Sequence, residues 1–350
     1  MSKPIDLKTV KIYEHLKKKP ETFGHKEYSF FNSESVYDVL SKNSNETVTY
    51  WFKLQQAWCN NAYNTFKDYD SYLILVYLVN TVFQKYSDRF QYLSYEEFYA
   101  KNELVIDKIN LIEISKELNI PKETIRRKVN FLQNQNIIFR KGKSIFFNNT
   151  ISKMQRPANS KKMMSNFLEK NGEILTKESW FGKTYNKEEI ESFIDKYFTI
   201  CWQHWFRLQI PYLVKHRTFF GDLETWNVWG SIGISQYIDY SKQVKDRIIE
   251  ESSNYSDLYL QLLRYTPKNG INASSISEIS TIPRATVIRK LKYLLKQKLI
   301  VKNKKLEYML LPSPKNIKFF EENYMHNQKH KAGFVSTIFD LMKNSSFKVE

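Results

Sequence analysis

A stretch of about 35 residues occurs twice in this chain, so the fold has to build the same local structure at two places. The first copy runs from Ile114 to Phe147 and the second begins at Ile276. They align without a gap: Pro121 falls on Pro283, an offset of 162, and the same offset pairs Ile120 with Ile282, Thr124 with Thr286, Arg127 with Arg289, Lys128 with Lys290, Leu132 with Leu294 and Ile138 with Ile300. A second match precedes each copy. Trp51-Phe52-Lys53-Leu54-Gln55 repeats as Trp205-Phe206-Arg207-Leu208-Gln209, an offset of 154, and Phe66, Asp68 and Phe83 then meet Phe220, Asp222 and Tyr237. Two matches in the same order imply an internal duplication, roughly 43–150 and 190–312, with eight extra residues in the second copy.

Each copy of the longer stretch has a clear local reading. A short amphipathic helix (Ile114 to Leu118) runs into Asn119-Ile120-Pro121, and the proline suits the first position of a second helix. In that helix Ile125, Val129 and Leu132 share one face, and Glu123, Arg127, Asn130 and Asn134 project opposite. The second copy buries Val287, Leu291 and Leu294 and projects Ala285, Arg289, Lys292 and Lys296. Hairpins should follow, Ile137 to Arg140 with Ser144 to Phe147, and Leu299 to Lys302 with Leu306 to Leu310. The expected fold class is mainly α with small β-hairpins.

The string P-x-x-T-[IV]-x-R-K-[VL], then an apolar helix and a hairpin, resembles the bacterial winged helix-turn-helix regulators. The resemblance covers about 35 residues per copy. The aromatic helix ahead of each copy looks somewhat like the MarR family, but the Asp-x-Arg wing signature is absent and the spacing is longer, so only the winged helix carries over. Tandem winged helices from an old duplication also resemble plasmid or phage replication initiators. The resemblance implies a double-stranded DNA partner, with Arg127 or Arg289 at base edges and wing lysines on phosphates. The implied contact set is Lys122, Thr124, Arg126, Arg127, Lys128, Asn130, Arg140, Lys141 and Lys143 in the first copy, and Arg284, Thr286, Arg289, Lys290, Lys292, Lys296, Lys302, Lys304 and Lys305 in the second. One chain would imitate a dimer, as a pseudo-dimeric monomer or a homodimer. A protein-interaction scaffold is the alternative in which the winged helices touch no DNA.

Charge agrees with a polyanionic partner. The net charge is +17, and from Arg284 to Lys305 there are nine basic residues and no acid. The first copy has seven basic residues from Lys122 to Lys143 against Glu123 alone. Catalytic patterns are lacking: there is no phosphate loop, G-x-G-x-x-G, nucleophile elbow or C-x-x-C, so the reading is of a protein that is not an enzyme and needs no cofactor or metal. His326 and His330 stand i, i+4 without a third ligand and read as a surface pair; His204 and His216 sit among aromatics. The aromatic run from Trp180 to Trp229 reads first as helical core, with a pocket for a small-molecule effector as its other use. Two cysteines (Cys59, Cys201) and no apolar leader read as a cytoplasmic protein, nucleoid-associated through its DNA.

The remaining expectations concern organisation: an N-terminal arm over 1–42, linker and connecting helices over 151–189, and C-terminal helices over 313–350. Asn43 with Glu46 fits a capping box opening the first aromatic helix, whose stripe is Val48, Trp51, Phe52, Ala62 and Phe66. Tyr69 to Tyr86 should be a buried helix and Ser94 to Leu104 a short one. Pro211 should kink or break the second aromatic helix.

Overall fold

The computed structural model describes residues 32–89, 91–106, 110–142, 144–150, 158–178 and 184–345. The expected arm up to residue 31, Lys143, the linker 151–157 and Trp180 lie outside the described residues. The rest is mainly helical with two small antiparallel sheets. No helix among the described residues is long and apolar enough to cross a membrane.

Helix α1 (Ser33–Lys42) is capped by Asn32, whose side chain accepts the Glu34 N–H. Helix α2 (Ser44–Phe66) follows at once. The expected Asn43 capping box does not form, because residues 33–42 are helical rather than part of an arm. Asn43 therefore faces backward, and its side-chain amide donates to the Val39 carbonyl at 2.9 Å. Lys67 then takes a left-handed φ of 53°, and Asp68 caps α3 (Tyr69–Asp88) by accepting the Ser71 N–H. The second aromatic pair has the same design. Helix α9 (Phe198–Phe220) ends at Gly221, whose φ of 85° favours glycine, and Asp222 caps α10 (Leu223–Lys245). Helix α9 runs through Pro211 without a break; the missing N–H costs one intrahelical bond, which burial on both sides of the helix outweighs.

The two aromatic helices meet in the centre. Trp51 of α2 lies edge-on to Trp205 of α9 at 6.3 Å, and Trp58 packs on Trp205 at 5.2 Å. Residues at one position in the two sequence repeats thus touch. Helix α9 also packs along α3, where Phe206 stacks on Phe83 at 5.8 Å.

Helix α4 (Tyr95–Ala100), strand β1 (Glu103–Ile106), helices α5 (Leu111–Leu118) and α6 (Lys122–Asn134), and strands β2 (Ile138–Lys141) and β3 (Ser144–Asn148) come next. The expected helix over Ser94 to Leu104 stops at Ala100; Leu104 and Ile106 alternate inward as a strand paired with β3, in sheet order β1-β3-β2. The later half repeats the order. Helix α11 (Tyr255–Arg264) leads to a single bridge, Ile271 to Tyr308, then α12 (Ala273–Ser280), α13 (Arg284–Lys296), β4 (Ile300–Lys302) and β5 (Tyr308–Leu310). The bridge is tight: a Cβ on Gly270 would come within 2.8 Å of Glu307 Cβ and 2.9 Å of the Tyr308 carbonyl oxygen. Pro121 and Pro283 stand at the N-caps of α6 and α13, one residue earlier than expected.

The connecting region is structural. Helix α7 (Ala158–Lys177) buries Met164, Phe167 and Leu168 against α2, and Lys170 pairs with Glu46 at 2.8 Å. Helix α8 (Lys187–Lys196) packs on α7. After β5, α14 (Pro314–Phe319), one π-helical turn (Phe320–Tyr324) and α15 (Met325–Asn344) run on in sequence, and α15 packs on α1.

Helix α15 also buries Lys331, which is 1% exposed. Its ammonium donates to the Tyr255 hydroxyl at 2.9 Å and lies over the Tyr255 and Trp51 rings. Burial holds the amine well below the usual lysine range, so the unfolded chain takes up a proton that the folded one resists. Stability should therefore rise with pH toward the ordinary lysine value. Lys331→Met should stabilise the fold near neutral pH by about 1–3 kcal/mol, read from urea unfolding, since Tyr255 keeps its contact to Thr47.

Candidate nucleic-acid interface

Helix α6 buries Ile125, Val129 and Leu132, as its spacing requires. Glu123, Arg126, Arg127, Asn130 and Asn134 are exposed. Helix α13 buries Val287, Leu291 and Leu294 and exposes Arg284, Ala285, Arg289, Lys292 and Lys296. Arg127 and Arg289, at the same position in the two helices, form no ion pair among the described residues. Thr124 and Thr286 are half-buried near the helix starts, and Lys122 is exposed beside Pro121. Arg126 bonds Glu123 at 2.6 Å, which leaves a surface pair of little energetic weight. Arg284 donates to Ser274 at 3.1 Å.

Two of the expected contact residues point elsewhere. Lys128 pairs with Asp68 at 2.8 Å and is only 20% exposed; Lys290 pairs with Asp222 at 2.5 Å and is 14% exposed. In each case the aspartate that caps the second aromatic helix also holds the lysine of the exposed helix. Burial alone would push both carboxyls up, but hydrogen bonds from the lysine and from Ser71 or Thr225 bring them below the usual range. These lysines orient α6 and α13 on α3 and α10 and are withdrawn from an outside partner. Sequence carried a signal for this, since Asp68–Asp222 and Lys128–Lys290 recur at the two offsets. Asp68→Ala removes a cap and an ion pair together, so it should cost about 1–3 kcal/mol in urea unfolding, with Asp222→Ala matching it.

The hairpins divide the remaining charges. Arg140 is exposed at the end of β2. Lys141 is held by Glu103 of β1 at 2.6 Å and lies over the Phe139 and Phe146 rings, so it is partly neutralised in place. Lys302, Lys304 and Lys305 are all exposed along β4 and its turn.

Each helix pair is anchored by the opposite half. Arg217 of α9 bonds Asp70 of α3 at 2.8 Å and the Asn119 carbonyl at 3.0 Å, and the Asn119 side chain donates to Thr218. On the other side Gln56 and Asn60 of α2 donate to the Ile279 carbonyl of α12 at 3.0 and 2.8 Å. The turn before each exposed helix is thus fixed to the aromatic helix of the other half. These cross-contacts had no sequence signal.

His326 and His330 bring their Nε2 atoms to 2.8 Å at the surface, and no three metal-binding side chains converge among the described residues. His204 and His216 are both held near pKa 4, chiefly by burial. The chain matches no known family model, no curated protein and no solved structure.

Proposed function

We propose that the chain is a sequence-specific, double-stranded-DNA-binding regulator in which two winged helix-turn-helix units, products of an internal duplication, act as a pseudo-dimer in the cytoplasm. The observation that carries this reading is the repeated presentation of α6 and α13. Each is opened by a proline, pinned from behind by an Asp–Lys pair, and left with an exposed arginine at the same place that forms no ion pair among the described residues. The duplication is supported by the matching element order of the two halves and by the contact of Trp51 with Trp205, which hold one position in the two sequence repeats. Sheet order and the strand-like bridge at Ile271 support the winged-helix assignment. The role is binding rather than catalysis.

Selection of binding sites from random duplexes, followed by footprinting, tests the proposal. One promoter-proximal site is the expected pattern. An array of direct repeats at an origin would instead indicate a replication initiator, and absence of salt-dependent binding a protein scaffold.

The two units should divide the work. The first exposes Arg127, Asn130 and Asn134, which can make bidentate contacts to guanine and adenine; the second exposes Lys292 and Lys296, which act as point charges. Arg127→Ala should relax base preference at one position, by about 1–3 kcal/mol on the selected site. Lys292→Ala with Lys296→Ala should weaken all sequences alike. Equal losses on selected and random DNA for Arg127→Ala would refute the division.

A further inference from the structure

A cavity of about 410 Å³ opens where α2, α3, α4, the end of β3 and α9 meet. Its walls are aromatic, including Trp58, Phe83 and Phe98 from the first half and Trp202 and Phe206 from the second. Among the described residues no charged side chain lines it, in a chain of net charge +17. Polar side chains also line it, among them Asn61, which donates to Ser160, with Asn64 and Thr65. Asn149 is nearly buried and donates its amide to the Phe98 and Lys101 carbonyls, while its Oδ1 has no partner. Trp58 Nε1 and the Tyr72 hydroxyl are likewise buried, side by side but short of a hydrogen bond of normal geometry. Buried donors and acceptors left unmatched are costly, so these three need an explanation, as do those of Gln55, Trp229 and Gln328 beside the smaller cavity of the other half.

The other half of the molecule supplies a comparison. A second cavity, between α9, α10 and α2, is lined by residues at the same offset of 154: Tyr212 for Trp58, Trp226 for Tyr72, Trp229 for Leu75. Even the exchanged wall corresponds, because Phe52 of the first half stands there as Phe206 stands in the larger cavity. That second space is only about 100 Å³. Trp229 and His216 occupy the room that Leu75 and Ala62 leave open in the first. One architecture thus carries one filled and one open version, and the open one reaches Asn149 at the end of the hairpin.

We propose that the larger cavity binds a neutral, mainly aromatic small molecule of one or two fused rings, which donates a hydrogen bond to Asn149 Oδ1 and accepts one from the Tyr72 hydroxyl. The volume lies in the range of small-molecule sites, and a charged ligand is disfavoured because no charged side chain among the described lining residues would compensate its desolvation. Because α4 and β3 belong to the first winged unit, occupancy shifts that unit's DNA affinity; this part rests on the function proposed above.

The test is calorimetry on the full chain with indole, 2-naphthol and quinoline, and with indole-3-carboxylate as the charged control. Saturable one-to-one binding of at least one neutral probe is expected, with the carboxylate at least about tenfold weaker. Leu75→Trp, which copies the other half, should abolish binding while the thermal melt stays cooperative. Tyr72→Phe, a change that removes only the hydroxyl, should weaken binding about two- to tenfold and decides the matter if Leu75→Trp does not fold. Binding of no neutral probe overturns the site, as does equal binding by Leu75→Trp, or by Tyr72→Phe where Leu75→Trp fails to fold. A bound probe that leaves DNA affinity unchanged overturns only the coupling, and a chain that binds the probe but no DNA refutes the regulator reading while the site stands.

Discussion

Raising the salt from 50 to 200 mM is expected, on the proposed function, to weaken binding to a selected duplex by roughly 10³–10⁵, because two winged units gripping one site would neutralise something like 6–10 phosphates. The contributors are the exposed cations, among them Lys122, Arg140, Lys302, Lys304 and Lys305 on the hairpin sides and Lys292 and Lys296 on α13. Lys128 and Lys290 should contribute little to this slope, since each is committed to an aspartate. Substituting Lys292 and Lys296 together should lower the logarithmic slope by about one unit per lost phosphate contact, whereas Lys128→Ala should leave it nearly unchanged and act on stability instead. A titration by fluorescence anisotropy distinguishes these outcomes. A flat response to salt would remove the DNA reading altogether.

Acid should destabilise the fold well above the pH at which carboxylates protonate. His216 is buried, its Nδ1 lies 2.7 Å from the Tyr212 carbonyl, and its ring packs on Trp226 at 4.7 Å. Burial, helped by Lys215, holds its pKa near 4 against an ordinary 6.5. The unfolded chain therefore binds the proton more readily between those values. The stabilising contribution is complete above pH 6.5 and is lost as the pH falls toward 4, by up to about 3 kcal/mol, or roughly 200–300-fold in the unfolding constant. His204, half-buried and depressed for the same reason, acts in the same direction. Glu224 opposes them, because burial raises its carboxyl. Urea midpoints measured from pH 7 to 4 should show the decline, and His216→Phe should flatten it. An unaltered acid limb in that variant would rule out His216 as its origin.

What was legible in the sequence was what periodicity and proline placement determine locally. Ile125, Val129 and Leu132 define the buried face of α6 without reference to anything distant, and Pro121 and Pro283 mark the helix starts to within one residue. The hairpins followed from alternation and a Lys-Gly turn. What escaped depends on partners far along the chain. Lys128 lies on the flank of α6, and whether it faces outward is decided by Asp68, which belongs to the preceding helical pair. A connecting helix was expected where α7 stands, but not its packing, because its apolar side matches α2 rather than any neighbour in sequence. Pro211 was expected to kink or break its helix, and it does not break it: burial by neighbouring helices outweighs the lost backbone bond. The cavity was legible only as aromatic density, and which half keeps it open depends on single side chains, Leu75 and Ala62 against Trp229 and His216.

The pairing of α1 with α15 bears on how the protein is made. The Tyr37 hydroxyl donates to Met325 Sδ, and the two residues are 288 positions apart. At the usual pace of synthesis the partner of α1 emerges roughly 15–60 s after α1 itself. For that interval the side of α1 that α15 covers in the finished fold has only the earlier helices α2 and α7 to pack on. The first half likewise waits for α9 before Trp51 and Trp58 are enclosed. Folding is therefore closed late by contacts of long sequence separation, which favours slow maturation and a need for chaperone holding at the ribosome.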